Sequence, residues 1–341
     1  MNFGFCVPTF AGANDSHPRT PMLERVEVGS LVAAVREVEA LGYDSVWVAD
    51  HLMLGADDAI LECWTVLSAL ARVTSRVRLG TIHLANFLRE PALVAKMAVT
   101  VDGISDGRLD LFIEAGHGGS QSESEAYGFG WENDEDRFEK FEEAVNILKL
   151  MWTEDRATFH GNHYRIDDAI CFPKPVQNPS IPLWIGTIGD EPSSENIGMD
   201  DQTMDVIARH ADWWNNTPAS VETVRVKLDT LKVACQHAGA DYDRIGKSLE
   251  TQVLIAEDSA GVQRLQDEIE RLNPQKTFYQ DWDGLRERYL IGTPDEVTSR
   301  LEEYRALGIE RFMLWFMDYP TLNGVQLFAN SIMPRFRQAR R

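Results

Sequence analysis

From end to end the chain alternates short apolar runs with longer amphipathic ones, the pattern of an α/β protein. Residues 2–7 read as a strand. Ser30 is placed to cap a helix whose Leu31, Ala34, Val35, Val38 and Leu41 recur at helical spacing until Gly42 stops it. The run 45–49 follows as a strand. Further strands are predicted at 77–80, 109–113, 183–187, 212–214, 249–255 and 312–316, which makes eight, all parallel. An internal echo supports a repeating unit. Glu39-Ala40-Leu41-Gly42-Tyr43 precedes one strand and Arg305-Ala306-Leu307-Gly308-Ile309 precedes the last, each glycine offering a left-handed helix stop.

Eight such units in 341 residues fit a closed β/α barrel, a single domain over residues 1–341, better than an open doubly wound sheet. An open nucleotide-binding sheet would place GxGxxG after its first strand, where this chain reads Phe5-Cys6-Val7-Pro8-Thr9. Three segments exceed what a barrel needs: 114–133, 189–201 and 273–283. Long loops after the strands are where barrels place chemistry. Residues 158–165, centred on Gly161-Asn162, read as an inserted hairpin.

The charge balance narrows the partners. With 33 Lys plus Arg against 54 Asp plus Glu, the net charge of −21 repels phosphate backbones and anionic membranes alike, which argues against nucleic acid. No apolar run approaches the ~18 residues of a membrane span, and the first ten residues lack a basic start, so a soluble cytoplasmic protein is expected. Cys6, Cys63, Cys171 and Cys235 form no CxxC pair and read as buried, reduced thiols.

Three consecutive predicted strands deliver a histidine to the barrel mouth: His51, His83 and His117. An imidazole there serves as acid or base near neutral pH, although a single strand-end histidine often only satisfies a loop. No metal is expected, because the first strand reads Phe3-Gly4-Phe5 and supplies no ligand pair. Ser120, Ser122 and Ser124 lie among acids with no GxSxG turn and read as a solvated loop. A flavin asks for apolar walls and close backbone approach, which Trp47, Trp184, Ile82, Gly116, Gly186 and Gly189 supply. Its phosphate would sit at Gly186, Thr187 and Gly189 and the helix start around Thr203. The acids Asp190, Glu191, Glu195, Asp200 and Asp201 beside it favour a small anionic group.

At this point the residues resemble the bacterial luciferase-like flavin monooxygenases and their deazaflavin-dependent relatives. The resemblance runs over nearly the whole chain. It rests on residues 41–51 (LGYDSVWVADH), Arg89-Glu90-Pro91-Ala92 with Lys96 and Thr100, and Ile104-Ser105-Asp106-Gly107-Arg108. Further pieces are Arg137-Phe138-Glu139 with Met151-Trp152, residues 172–177 (FPKPVQ), Pro182-Leu183-Trp184-Ile185-Gly186, His210-Ala211-Asp212 and residues 292–297 (GTPDEV).

What the resemblance implies is an eight-stranded barrel, a homodimer, and a flavin ring across the mouth. It implies a cis peptide at Ile82-His83, not preceding proline, with its flat surface against the ring. Asp50-His51 matches a position near the reactive side of the ring, His117 a place where some relatives carry an acid, and Gly116 a close approach to the cofactor. With Ile82, Glu114 and Ala115 these complete the implied ring site. Two departures stand out: Phe112-Ile113-Glu114 replaces a common Gly-x-Gly, and residues 187–201 replace a shorter glycine-rich turn. The implied activity is a two-component monooxygenase that takes reduced FMN from a separate reductase and uses dioxygen on a small organic substrate. Hydride transfer with the deazaflavin coenzyme is the alternative, which the net charge disfavours because that coenzyme has a longer anionic tail. A flavin-binding protein without turnover and a metal-dependent hydrolase stand further behind.

Overall fold

The computed structural model describes residues 1–12, 18–116, 120–187 and 199–337. In chain order the strands are β1 (Asn2–Cys6), β2 (Ser45–Val48), β3 (Arg78–Thr81), β4 (Leu84–Ala85), β5 (Leu109–Glu114) and β6 (Ala157–His160). They continue as β7 (Arg165–Ala169), β8 (Leu183–Thr187), β9 (Trp213–Asn216), β10 (Gly246–Ile255), β11 (Leu290–Gly292) and β12 (Arg311–Phe316). The helices are α1 (Val28–Ala40), α2 (Cys63–Val73), α3 (Pro91–Ile104), α4 (Gln121–Ala126), α5 (Asp134–Thr153) and α6 (Met199–His210). After them come α7 (Val221–Ala238), α8 (Ser259–Leu272), α9 (Trp282–Arg288), α10 (Pro294–Ala306), α11 (Asn323–Ser331) and α12 (Met333–Arg337).

Eight parallel strands, β1, β2, β3, β5, β8, β9, β10 and β12, close into a barrel, with the last pairing back onto β1. The predicted strands are therefore all present, within one to three residues at their ends. Two short strands escaped prediction: β4 extends the β5 edge, and β11 pairs with Val253–Ile255 of β10 beyond the end of β9. The hairpin is found as the antiparallel pair β6 and β7. Gly42 and Gly308 have φ of +90° and +95°, so the two echoed helix stops share one conformation that glycine adopts without a Cβ clash. One expectation fails. The first α1 bond runs from Leu31 N–H to the Glu27 carbonyl, so the extended Glu27 is the N-cap and Ser30 falls inside the first turn.

Strand alternation sorts the side chains into two layers. Outward residues such as Val46, Val48, Leu79, Leu111, Ile185 and Leu314 pack beneath the helices in the main core. Inward residues form a separate aromatic cluster of Phe10, Trp47, Phe112, Trp184 and Trp315 with Cys6, Ile82 and Met313. Glycines make room for it. A Cβ on Gly80 would sit 2.1 Å from the Trp47 ring, and one on Gly186 would sit 2.6 Å from the Phe112 ring. Trp184 stacks on Trp213 at 4.7 Å, and the Arg311 guanidinium lies 3.9 Å from the Trp213 ring centroid at the barrel floor. The floor is thus plugged, and the open end is at the carboxyl ends of the strands. All four cysteines are free and buried. Among the described residues no helix is long and apolar enough to cross a membrane.

Candidate active site

His83 follows β3 through a cis Ile82-His83 peptide, as the resemblance implied. Its ring lies 4.3 Å from the Phe112 ring, and its Nδ1 is 3.2 Å from Glu114 Oε2 at the end of β5. On the other side Nε2 lies 3.2 Å from Oε2 of the fully buried Glu250 on β10. That second contact is an ion pair and not a hydrogen bond, since neither atom has a hydrogen-bond partner. Burial by itself would strip the imidazole of its proton, but Glu114 and then Glu250 outweigh it and push the pKa up to about 9. Burial would likewise raise Glu250. His83, the Arg19 guanidinium 3.4 Å from its Oε1, and the Trp315 indole N–H donating at 2.6 Å overcome that and hold it down to about 2. The arrangement is an imidazolium clamped between two carboxylates, beside aromatic walls.

His51 belongs to a second pair. Its Nδ1 is 2.9 Å from Glu123 Oε2, and the other carboxylate oxygen accepts the backbone N–H groups of Leu52 and Met53. Burial pushes Glu123 up, but the His51 bond and these two N–H groups more than offset it, and its pKa falls below the ordinary value. An ionised Glu123 accepts from Nδ1–H and so orients the ring, leaving Nε2 as the nitrogen not engaged by the carboxylate. Glu123 and Ser124 are buried on α4, so the segment read as a solvated loop is instead a short helix that delivers a carboxylate to His51. Glu123 was misread as solvent-facing because six residues are too few to show helical periodicity, whereas Ser122 and Glu125 are exposed as expected.

Asp50 is buried and engaged elsewhere. Its carboxylate takes both ends of the Arg89 guanidinium at 2.7 and 2.9 Å and accepts the Ala85 N–H at 3.2 Å. Asp50 therefore fixes the β4 segment beside His83, and Arg89 also reaches Glu62 at 3.0 Å. Gly116, with φ +87°, packs against Phe87 and Trp131, and Ala115 lines a side cavity with the same residues.

Of the expected phosphate residues, Gly186 faces inward on β8 and leaves room for Phe112. Thr187 points the other way, with its hydroxyl bonded to Asn216 Oδ1 at 2.8 Å and to the Trp214 indole at 3.0 Å beneath the helices. Thr203 is half-buried in α6. His117 and Gly189 lie outside the described residues.

Four site residues went unrecognised in the sequence: Glu123, Glu250, Gln252 and Asn215. Gln252 is fully buried, and register places it inward beside Trp315, with neither carboxamide atom partnered. Asn215, inward on β9, likewise keeps an unpartnered Nδ2. Buried amides with unmade hydrogen bonds beside stacked aromatics are what a flat, polar-edged ring calls for. The residues present therefore fit a flavin-type ring. His83, Gln252 and Asn215 would face it, and Trp47, Trp184 and Trp315 would wall it.

A closed β/α barrel with a buried imidazolium, a histidine–carboxylate pair and orphaned amides at its open end defines a barrel oxidoreductase of the flavin type. The family model described as luciferase-like monooxygenase matches residues 1–311, and the chain belongs to that family. It is 24% identical to the FMNH(2)-dependent dimethylsulfone monooxygenase of Pseudomonas putida, over 99% of this chain and 96% of that protein. It is 26% identical to the F420-dependent glucose-6-phosphate dehydrogenase of Amycolatopsis mediterranei, over 90% of this chain and 94% of that one. Among solved structures, the EDTA monooxygenase of Chelativorans sp. BNC1 superposes with a TM-score of 0.76 at 15% identity, covering 99% of this chain and 93% of that one. An F420-dependent secondary alcohol dehydrogenase superposes at 0.73 with 20% identity, covering 97% and 98%. The likenesses thus divide between flavin and deazaflavin enzymes, and the chain is a luciferase-like oxidoreductase.

Proposed function

We propose that this chain is the oxygenating component of a two-component flavin monooxygenase, acting on a small organic substrate with reduced FMN supplied by a separate reductase. When bound, the reduced flavin supplies electrons to dioxygen, of which one atom goes to substrate and the other to water. The observation that carries the reading is the placement of His83 between the carboxylates of Glu114 and Glu250, each 3.2 Å away. A group titrating at about 9 is a poor base at neutral pH but a standing cation and proton donor. In a dry aromatic mouth such a cation stabilises negative charge as it develops on reduced oxygen. Glu114 and Glu250 keep the proton on His83 between turnovers, and Trp47, Trp184 and Trp315 keep water out. His51, poised by Glu123, moves a proton at Nε2.

Leakage tests this without knowledge of the substrate. Reoxidation of reduced FMN with excess protein should release hydrogen peroxide more slowly than free reduced FMN does, and His83→Gln should restore the free rate. Equal release with and without protein would overturn the proposal.

The His51–Glu123 pair favours a second reading, hydride transfer with a deazaflavin coenzyme, because an imidazole oriented by a carboxylate is an acid–base group of the kind such chemistry needs. A homodimer is part of the proposal. The apolar Leu93, Ile104, Phe172 and Val176 are exposed on α3 and the adjoining 170–176 segment and would be covered by a second copy. Sedimentation equilibrium at twice the chain mass is the expected result.

A further inference from the structure

Beyond the carboxyl ends of β10 and β12, outside the barrel, a cavity of about 780 Å³ opens between α8 and α11. Asp318, which closely follows β12, forms part of its wall. The residue is only 2% exposed, and its carboxylate is used on one side alone. Oδ2 accepts the Gly324 N–H at 2.8 Å and the Thr321 hydroxyl at 2.9 Å, which fastens the first turn of α11. Oδ1 is buried with no hydrogen-bond partner.

Capping the helix explains one oxygen and not the other. A serine or asparagine would bond the helix start without burying a charge, whereas a carboxylate oxygen left unbonded away from water is costly. Burial raises the Asp318 pKa, and the Gly324 N–H and Thr321 hydroxyl offset that only in part, so the carboxylate is short of donors. Gly324 leaves the unbonded oxygen uncovered, since a Cβ there would lie 2.6 Å from Oδ1. The rest of the wall has the same sign. Glu257 and Glu268 line the cavity with Asp318, against the single cation Arg264. Leu265 and Leu327 add an apolar stretch. An ammonium group supplies what such a wall lacks, a positive charge with three N–H donors.

We propose that this cavity binds a small primary amine in its ammonium form, with an N–H donated to Asp318 Oδ1 and the alkyl chain along Leu265 and Leu327. Neither His51 nor His83 lines the site, and its occupancy can be read on the protein without flavin.

The test is a calorimetric titration of the purified protein with n-butylammonium chloride, against 1-butanol and against sodium chloride at matched ionic strength. Saturable binding of n-butylammonium, with 1-butanol weaker by about tenfold or more, is expected. Asp318→Asn keeps an oxygen for Gly324 and Thr321 but puts NH₂ in place of Oδ1, so it should abolish the preference for the ammonium. Should Asp318→Asn not fold, Asn330→Lys carries the test. It adds a cation at the exposed rim and should weaken n-butylammonium by about tenfold or more while leaving 1-butanol unchanged. In the wild type the Asp318 carboxyl NMR signal should titrate at lower pH once the amine is present, a shift that helix capping alone would not produce. No saturable binding, binding no tighter than that of 1-butanol, or an ammonium preference that persists undiminished in either variant overturns the proposal.

Discussion

His83 Nε2 and Glu250 Oε2 lie 3.2 Å apart although their strands, β3 and β10, stand on opposite sides of the barrel, four places apart either way around the ring of eight. The pair therefore bridges the open end, and Arg19 and Trp315 hold its carboxylate from the far side. Breaking a buried pair leaves one charge uncompensated. His83→Gln is expected to lower turnover by about 10²-fold or more and to lower the melting temperature. Glu250→Gln should release His83 toward a lower pKa, and the double variant should cost less than the sum of the two single losses. Kinetics with thermal melts of the three variants check this, and strict additivity would contradict the coupling.

Stability should carry the same signature in its pH dependence. The His83 pKa rises from its ordinary 6.5 to about 9 on folding, so its contribution is complete below about 6.5 and is lost as pH rises through about 9. Glu250 falls from 4.5 to about 2, so its contribution is present above about 4.5 and is lost as pH falls through about 2. The pair is thus strongest between about 4.5 and 6.5. Urea midpoints across pH 4 to 10 should decline above 6.5 in the wild type and decline less in His83→Gln.

Glu123→Gln tests the second histidine. A carboxamide can still accept from Leu52 and Met53 through its oxygen, but it then turns its NH₂ toward His51 Nδ1 and imposes the other tautomer. Turnover should fall by about 10²-fold or more while KM changes little. A loss confined to KM would show that Glu123 only shapes the mouth.

Packing inside the barrel admits a simple test. Gly80→Ala places a methyl group against the Trp47 ring, where a Cβ has 2.1 Å of space, and overpacking of this kind costs about 1–3 kcal/mol or more. The melting temperature should drop, and Trp47→Leu in the same chain should recover part of it. Wild-type stability in Gly80→Ala would mean that the tryptophan layer yields freely.

Much of the barrel was legible in the sequence because each strand carries an outward apolar face and each helix a periodic one, punctuated by glycines such as Gly42 and Gly308. β4 and β11 were not, since two or three residues show no period. The site was half legible. His51 and His83 end recognisable strands, whereas Glu250 and Gln252 sit on a strand whose outward apolar residues Leu249, Val253 and Ile255 face the helices. On a one-sided sheet the polar alternates would face water. In a closed barrel they face the interior, so polar residues in an otherwise apolar strand are the signal that finds them. Glu123 reaches His51 from 72 residues away through a six-residue helix, and local pattern carries no trace of that contact.

In the function proposed above this barrel works on reduced FMN. Its most direct test is an anaerobic titration of the purified protein with reduced FMN and with the reduced deazaflavin coenzyme, side by side. Saturable binding of reduced FMN, tighter than that of oxidised FMN and of the deazaflavin, is the predicted result. Tight binding of the deazaflavin with no saturation by reduced FMN would contradict it.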